Sequence, residues 1–560
     1  MTSTVGVITI CLSASAVPVA PPPFRGDPVA ERDQPLIVDP AAAARVAADA
    51  GAFTRTRGIE VHRAGTTGST DAPGFAIHEL HTGLVSLEPT MGITPQGVVL
   101  ADTNSSAGEG VVRTRDQGKT FENVTPMLGG TDAHSQTLDP YLYVDSRTGR
   151  VFLSDLVEPC QEIAYSDDAG TTWSETVTDC DQSDHQTIFA GPPATSTPSG
   201  YPNVVYDCAI AGGVATPVST ISSCDKSLDG GVTFAHTGAP AFVVDPAKAT
   251  ANGEPVGTCD GAVGHGAVGP DGTVLVPRGY CGQPWLAISH DEGLSWTTVQ
   301  VASNGMNLSL YNVYDHEAGV AQDAAGNIYY TWVAHNRMPY LAVSRDRGKT
   351  WSAPLSIAPP GVREASLPSI AIDSHGALAF GYMGSTNSPG APFPGEASCS
   401  PFVFLAQNCP DPPQYKSVTW NAYIAKTTNP LVAHPTLVTA TVNDPAKPFI
   451  RGTCGPIRCK AVYDFIDVEI APDGSVWGAY IDGCPGGKCA IPGELVFGRL
   501  APDAAGAAAR GGAVAAASTS MPNTGTGSSA PLMTMVALGL SVLVVRLAPA
   551  AAKGFTRQGR

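Results

Sequence analysis

Carboxylates and imidazoles recur at one register of this sequence. Seven strand–turn–strand phrases, aligned on their turns, place Thr90, Asp139, His185, His265, Glu317, Leu367 and Asp467 at one equivalent position, with Asp184, His316 and Asp464 close by. Acids and imidazoles that converge can move protons at a bound substrate, or hold a metal through mixed nitrogen and oxygen ligands. Asp139, Glu317 and Asp467 are the candidate catalytic carboxylates, and two opposed carboxyl groups are what glycoside hydrolysis requires. His185, His265, His316, Arg278 and Arg363 are the candidate substrate contacts. The residues require no cofactor and assign no metal ligand set, so a metal at this ring stands as an alternative. The plainer reading is a set of polar strand ends facing water.

The elements that would position these groups are short strands. The phrases fall at 92–97, 141–153, 267–272, 320–330, 370–380 and 468–477, with a longer Pro/Ser-rich turn at 191–202. Each sets apolar or alternating residues on both sides of a polar or Gly-containing turn, the pattern of a hairpin. A second pattern, Ser/Thr-x-Asp-x-Gly-x-Thr/Ser-Trp/Phe, occupies 114–121, 166–173, 227–234, 289–296 and 344–351, at intervals of 52, 61, 62 and 55 residues. That spacing is the length of a four-stranded blade. Asp116, Asp168, Asp229, Asp291 and Asp346 are the acids of the repeat. Their carboxylates are suited to accept turn amides, while Gly supplies positive φ and the aromatic fills an apolar layer.

The repeat resembles the Asp-box, or BNR, repeat of sialidases and other secreted propellers. The resemblance implies an all-β chain forming a single β-propeller of four-stranded blades, in which the Asp boxes are structural turns between the third and fourth strands. The phrases count seven blades, with six as the alternative, at 86–128, 135–178, 185–240, 262–303, 315–358, 366–428 and 463–500. Innermost strands line a propeller's axis, so the aligned acids and histidines are expected at the mouth of a central channel. The opposite loops are long, notably 240–264, 384–417 and 435–463, and carry most of the cysteines. Disulfide-stapled loops on one face would form a binding surface on a rigid scaffold, or simply resist proteolysis.

Sialidase chemistry is a separate matter. The Arg-Ile-Pro motif that supplies that family's first arginine is missing, and the closest match, at Arg25, lies outside the repeats. Arg278, Arg363 and Arg451 fall near loop-face strand ends, and Tyr330, Tyr382 and Tyr480 end second strands, without a motif to assign them. The resemblance covers the repeats, about three quarters of the chain, and not the catalytic set. Whether the chain is an enzyme stays open; an exo-sialidase-like glycoside hydrolase is the class it would join.

Composition and the chain ends point to export. The 560 residues carry a formal charge of −18, which argues against a nucleic-acid partner. An apolar run at 5–12 followed by Ala14, Ser15 and Ala16 resembles a secretory signal, giving residues 1–16 as signal and 17–85 as an N-terminal extension. With Cys11 removed, thirteen cysteines become twelve, in neighbouring couples: Cys160/Cys180, Cys208/Cys224, Cys259/Cys281, Cys399/Cys409, Cys454/Cys459 and Cys484/Cys489. An even set in an exported chain reads as disulfides, whose connectivity the sequence leaves open. After the propeller at 86–500 come an Ala/Gly-rich spacer at 501–520 and a tail at 521–560. Met521 to Gly525, an apolar run at 532–545 and the basic Arg546, Lys553, Arg557 and Arg560 resemble a sortase sorting signal, with Met where Leu is usual. By that resemblance Thr524 is joined to the cell wall after cleavage before Gly525. The 14-residue apolar run is shorter than the roughly 20 a spanning helix needs, so membrane contact would be transient. The expected partners are sortase and an extracellular glycan or glycoprotein. The competing readings are a wall-anchored glycosidase, a non-catalytic adhesin, and a metal-dependent enzyme.

Overall fold

A computed structural model describes residues 59–60, 76–105, 108–126, 139–157, 160–177, 182–211, 221–243, 263–280, 282–305, 318–390, 414–452, 464–489 and 493–501. All lie in the first of two compact units, Met1–Ser518. The signal and sorting segments and the spacer from residue 502 on fall outside them, as do His316, Glu317 and, in whole or part, four of the six cysteine couples.

Seven antiparallel sheets form seven blades, each with strands A to D from the axis outward. The A strands are Met91–Ile93, Pro140–Val144, Gln182–Gly191, Ala267–Val268, Ala318–Gln322, Glu364–Ile372 and Asp467–Ile470. Consecutive A strands are neighbours around the axis, and the seventh meets the first, so the ring closes. Their approach is close: a Cβ on Gly92 would stand 2.5 Å from Val144 Cγ2 of the next blade.

B strands such as Val274–Tyr280, Ile328–Val333 and Val476–Asp482 are buried throughout. Each is covered on both faces by adjacent blades, which is why it reads as a nearly continuous apolar run. Six of the seven D strands are short, and several are partly exposed, as at Ala235–His236 and Thr297–Gln300. Short outer strands leave little free edge for another chain to pair with.

The five octapeptides share one hydrogen-bonded turn. In the first, Thr114 Oγ1 donates to Asp116 Oδ1, while Asp116 accepts the Thr120 amide at 2.9 Å and the Thr120 hydroxyl at 2.7 Å. Positive φ extends to the residue before the glycine, at Gln117, Ala169, Gly230, Glu292 and Arg347. The pattern had assigned it to the glycine alone. The aromatic reaches the preceding blade: Phe121 stacks on Phe497 at 5.6 Å, and Trp173 Nε1 donates to Val124 O.

Two boundaries move. Ile77–Ser86, assigned by the sequence to the N-terminal extension, pairs with Gly493–Leu500 and is strand D of blade seven. Val438–Thr441 is strand D of blade six, ten residues past the end read for that blade at 428. The first finds its partner about four hundred residues away, which local patterning does not encode. Two disulfides lie among the described residues. Cys484–Cys489 closes the B–C loop of blade seven, and Cys208–Cys224 joins neighbouring strands inside blade three.

Candidate functional site

The residues that precede the A strands converge at the channel mouth. Glu88, Asp139 and Asp464, from blades one, two and seven, are each at least 95% buried and bring one carboxylate oxygen apiece within 4.8 Å of the others. Buried like charges at this range cannot all ionise freely; they bind a proton or a cation. His185, in strand A of blade three, sets Nε2 3.6 Å from Asp464 Oδ2. Its backbone has φ +50°, within an irregularity between Asp184 and Thr187 that turns the ring toward the axis. The adjacent Gln186 amide donates to the Asp139 carbonyl. Leu367, at the equivalent register of blade six, repeats the device with φ +56° at a second irregularity.

Beneath the mouth the axis is filled. Phe465 stands with its ring centroid 5.5 Å from Tyr141, 6.0 Å from His185 and 5.2 Å from His265. The Tyr141 hydroxyl and His265 Nδ1 share a 2.7 Å hydrogen bond across the channel from blade two to blade four. Desolvation lowers the His265 pKa, although the charge of Asp467 opposes it, so the ring favours its neutral form.

Deeper still, Asp467 fastens three blades. It accepts Met91 N at 3.1 Å and the Ser369 hydroxyl at 2.8 Å, besides its own neighbour Val468 N. Thr90 donates its hydroxyl to Asp102 at 2.5 Å and accepts Leu142 N at 2.6 Å. Desolvation raises the pKa of Asp102 and of Asp467, against the hydrogen bonds each receives. Glu469 is pushed up to about 8 by desolvation and then by the charge of Asp467. Glu469 therefore keeps its proton at neutral pH, and burial biases Asp102 and Asp467 in the same direction.

The remaining candidates lie apart. Arg278 is fully buried between blades three and four, where it donates to Ser222 Oγ at 2.8 Å and stacks over Phe242 and Tyr280. Arg363 and Arg451 are exposed strand-end side chains. Tyr330 and Tyr480 spend their hydroxyls on backbone carbonyls of neighbouring strands, and Tyr382 stacks on Tyr423. So the structure brings Asp139, His185 and Asp464 together, places His265 and Asp467 below them, and sets the arginines elsewhere.

Two members of the site escaped the sequence. Glu88 lies two residues before Thr90, on the same side of an extended chain, which is the signal that would have found it. Phe465 sits between two acids already noticed, but nothing local marks it as the residue that fills the axis.

The sequence matches no protein-family model and no curated protein. Solved structures align with it at low similarity. The leech intramolecular trans-sialidase complexed with 2,7-anhydro-Neu5Ac is 14% identical, over 80% of this chain and 70% of that one, with a TM-score of 0.37. The intramolecular trans-sialidase of Ruminococcus gnavus is 14% identical over 79% of this chain and 99% of that one, with a TM-score of 0.36. The Aleuria aurantia lectin, in complex with a fucosylated GlcNAc, is 10% identical over 54% and 91%, with a TM-score of 0.34. Likeness of this size bears no weight in assigning chemistry; the seven sheets establish the propeller by themselves.

Proposed function

We propose that this chain is an exported, wall-anchored Asp-box propeller that hydrolyses or recognises extracellular glycans at its channel mouth. The observation that carries this reading is the buried trio Glu88, Asp139 and Asp464 with His185 beside it. Crowding raises the proton affinity of one carboxyl while another stays ionised, which is the division of labour glycoside hydrolysis uses. The trio is acidic, which favours a neutral glycan over a sialoside. Export and anchoring rest on the two chain ends and the cysteine couples.

The test is a panel of fluorogenic glycosides, a sialoside included, run on the full chain beside Asp139→Asn and Asp464→Asn. Turnover of a neutral glycoside that both variants lose supports the reading. Sialoside turnover would redirect it to an arginine set, and turnover that both variants retain would move the site away from the mouth.

A second reading follows from the same trio. Three carboxylate oxygens so close are also the donor set of a hard divalent cation such as Ca²⁺. Elemental analysis of the purified chain, with and without Asp464→Asn, separates a cation site from an acid–base site.

A further inference from the structure

The ring is closed by one non-covalent seam, and that seam carries a charge arrangement of its own. Strand D of blade seven, Ile77–Ser86, comes from the N-terminal side, and strand C, Gly493–Leu500, from the C-terminal side. Their ladder is regular from Ile77↔Leu500 to His81↔Val496, then breaks until Val85↔Glu494. His81 sits at the break. Its Nε2 lies 2.8 Å from Glu79 Oε1 on its own strand, and its Nδ1 lies 3.1 Å from Glu494 Oε2 on the partner strand. An ionised carboxylate only accepts hydrogen bonds, so satisfying both contacts requires a proton on each ring nitrogen. Glu494 also accepts the Gly83 amide inside the break at 3.0 Å, and Thr82 Oγ1 donates to Leu495 O.

The groups around this point are few and mostly acidic. Strand D supplies Glu79 and His78, strand C supplies Glu494 and Arg499, and Asp482 ends strand B directly across from Glu494. Asp482 Oδ1 accepts Cys484 N, and one of its oxygens lies within 4.8 Å of His81 and Glu494. Arg499 stands across from His78 and turns to Asp473, at 3.5 Å. From blade one, the facing strand Val99–Ser105 presents Asn104, bonded to Ser86 and Leu87, and Asp102, bonded to Thr90. The seam therefore gathers three carboxylates around one imidazole.

We propose that the seam is a proton lock: doubly protonated His81 ties strand Ile77–Ser86 to Glu494, and loss of protons there frees the strand and opens the ring. The expected direction follows from the titrations. His81 is raised to about 10: desolvation alone would lower it, but the hydrogen bonds and charges of Glu494 and Glu79 prevail. Asp482 is raised to about 7, by desolvation first. A folded-state pKa above the unfolded value gives stability that is full at low pH and lost as pH rises through the folded value. Both groups thus tighten the seam in acid. Asp482 loosens it as pH rises from its unfolded value of 3.8 toward 7, and His81 as pH rises from its unfolded value of 6.5 toward 10.

Hydrogen exchange on the full chain, corrected for intrinsic rates, tests this between pH 5 and 10. The strand Ile77–Ser86 should lose protection by up to about tenfold per pH unit above pH 7, while Val274–Tyr280 in blade four holds its own. His81→Gln should expose the seam strand already at pH 6 and remove the pH dependence above 7. Asp482→Asn, which keeps the Cys484 contact, should abolish the loss between pH 5 and 7 and leave the loss from there toward pH 10. Seam protection that follows blade four at every pH, or a His81 resonance titrating near 6.5, would overturn the lock.

Discussion

The two faces of this propeller treat carboxylates in opposite ways. On the turn face, the five box acids are surrounded by donors from their own octapeptide. Desolvation pushes the Asp116 pKa up, but the Thr120 hydroxyl and amide more than offset it, and the net shift is downward. Asp346 is drawn to about 2, chiefly by the Thr350 hydroxyl and amide. Along the channel the balance reverses. Glu469 rises to about 8 because burial and the neighbouring Asp467 outweigh the amide it receives. An acid supplied with donors by its own loop is a structural fixture, whereas one desolvated beside another acid is poised to exchange protons.

Four measurements break or sharpen that contrast. The largest effect is expected at the mouth. If the trio performs acid–base work, Asp139→Asn with Asp464→Asn should cut turnover by about a thousandfold with no loss of melting temperature, since two crowded charges are removed. A parallel fall in stability would make the trio a structural fixture after all. Next comes the turn face: Trp173→Ala should cost about 3 kcal/mol, read by denaturant unfolding, because its ring packs toward blade one and its Nε1 bonds Val124 O. Activity should not change. Third, Glu469→Gln should stabilise the protein by about 2 kcal/mol at pH 9 and not at pH 5, allowing for the group's partial exposure. The sign follows from a raised pKa, whose stability is lost as pH climbs through about 8. The smallest effect is Asp346→Asn. A lowered pKa gives stability present above the unfolded value and lost as pH falls toward 2, so the variant should be slightly less stable at neutral pH and converge with the parent as pH approaches 2.

The same contrast explains what could be read in advance. Each octapeptide completes its turn within eight residues, so the pattern is visible locally, and five copies identified the propeller. The seven blades followed from hairpin phrases that are equally local. Asp139, His185 and Asp464 were recognisable as strand-end groups, because equivalent registers of a repeat occupy equivalent places. Their closeness to Glu88 was not, since it depends on how blades one, two and seven meet around the axis. His185 also reaches the mouth through a positive φ that no residue beside it demands. Arg278 had the right type and place in the chain, yet its neighbours Phe242 and Tyr280, brought from other strands, enclose it. Strand Ile77–Ser86 has the weakest local signal of all, because its partner lies at the far end of the propeller.

That strand also fixes where the described chain enters and leaves the propeller. Ile77 is paired with Leu500, and Ala501 N donates to Ala76 O at 2.9 Å. Strand C ends on the side of the octapeptide turns, so the described chain enters and leaves the propeller at one point on the turn face. Glu88 and Asp464 open on the other. The described chain therefore enters and leaves the propeller at one end of its strands, and the acidic channel mouth lies at the other.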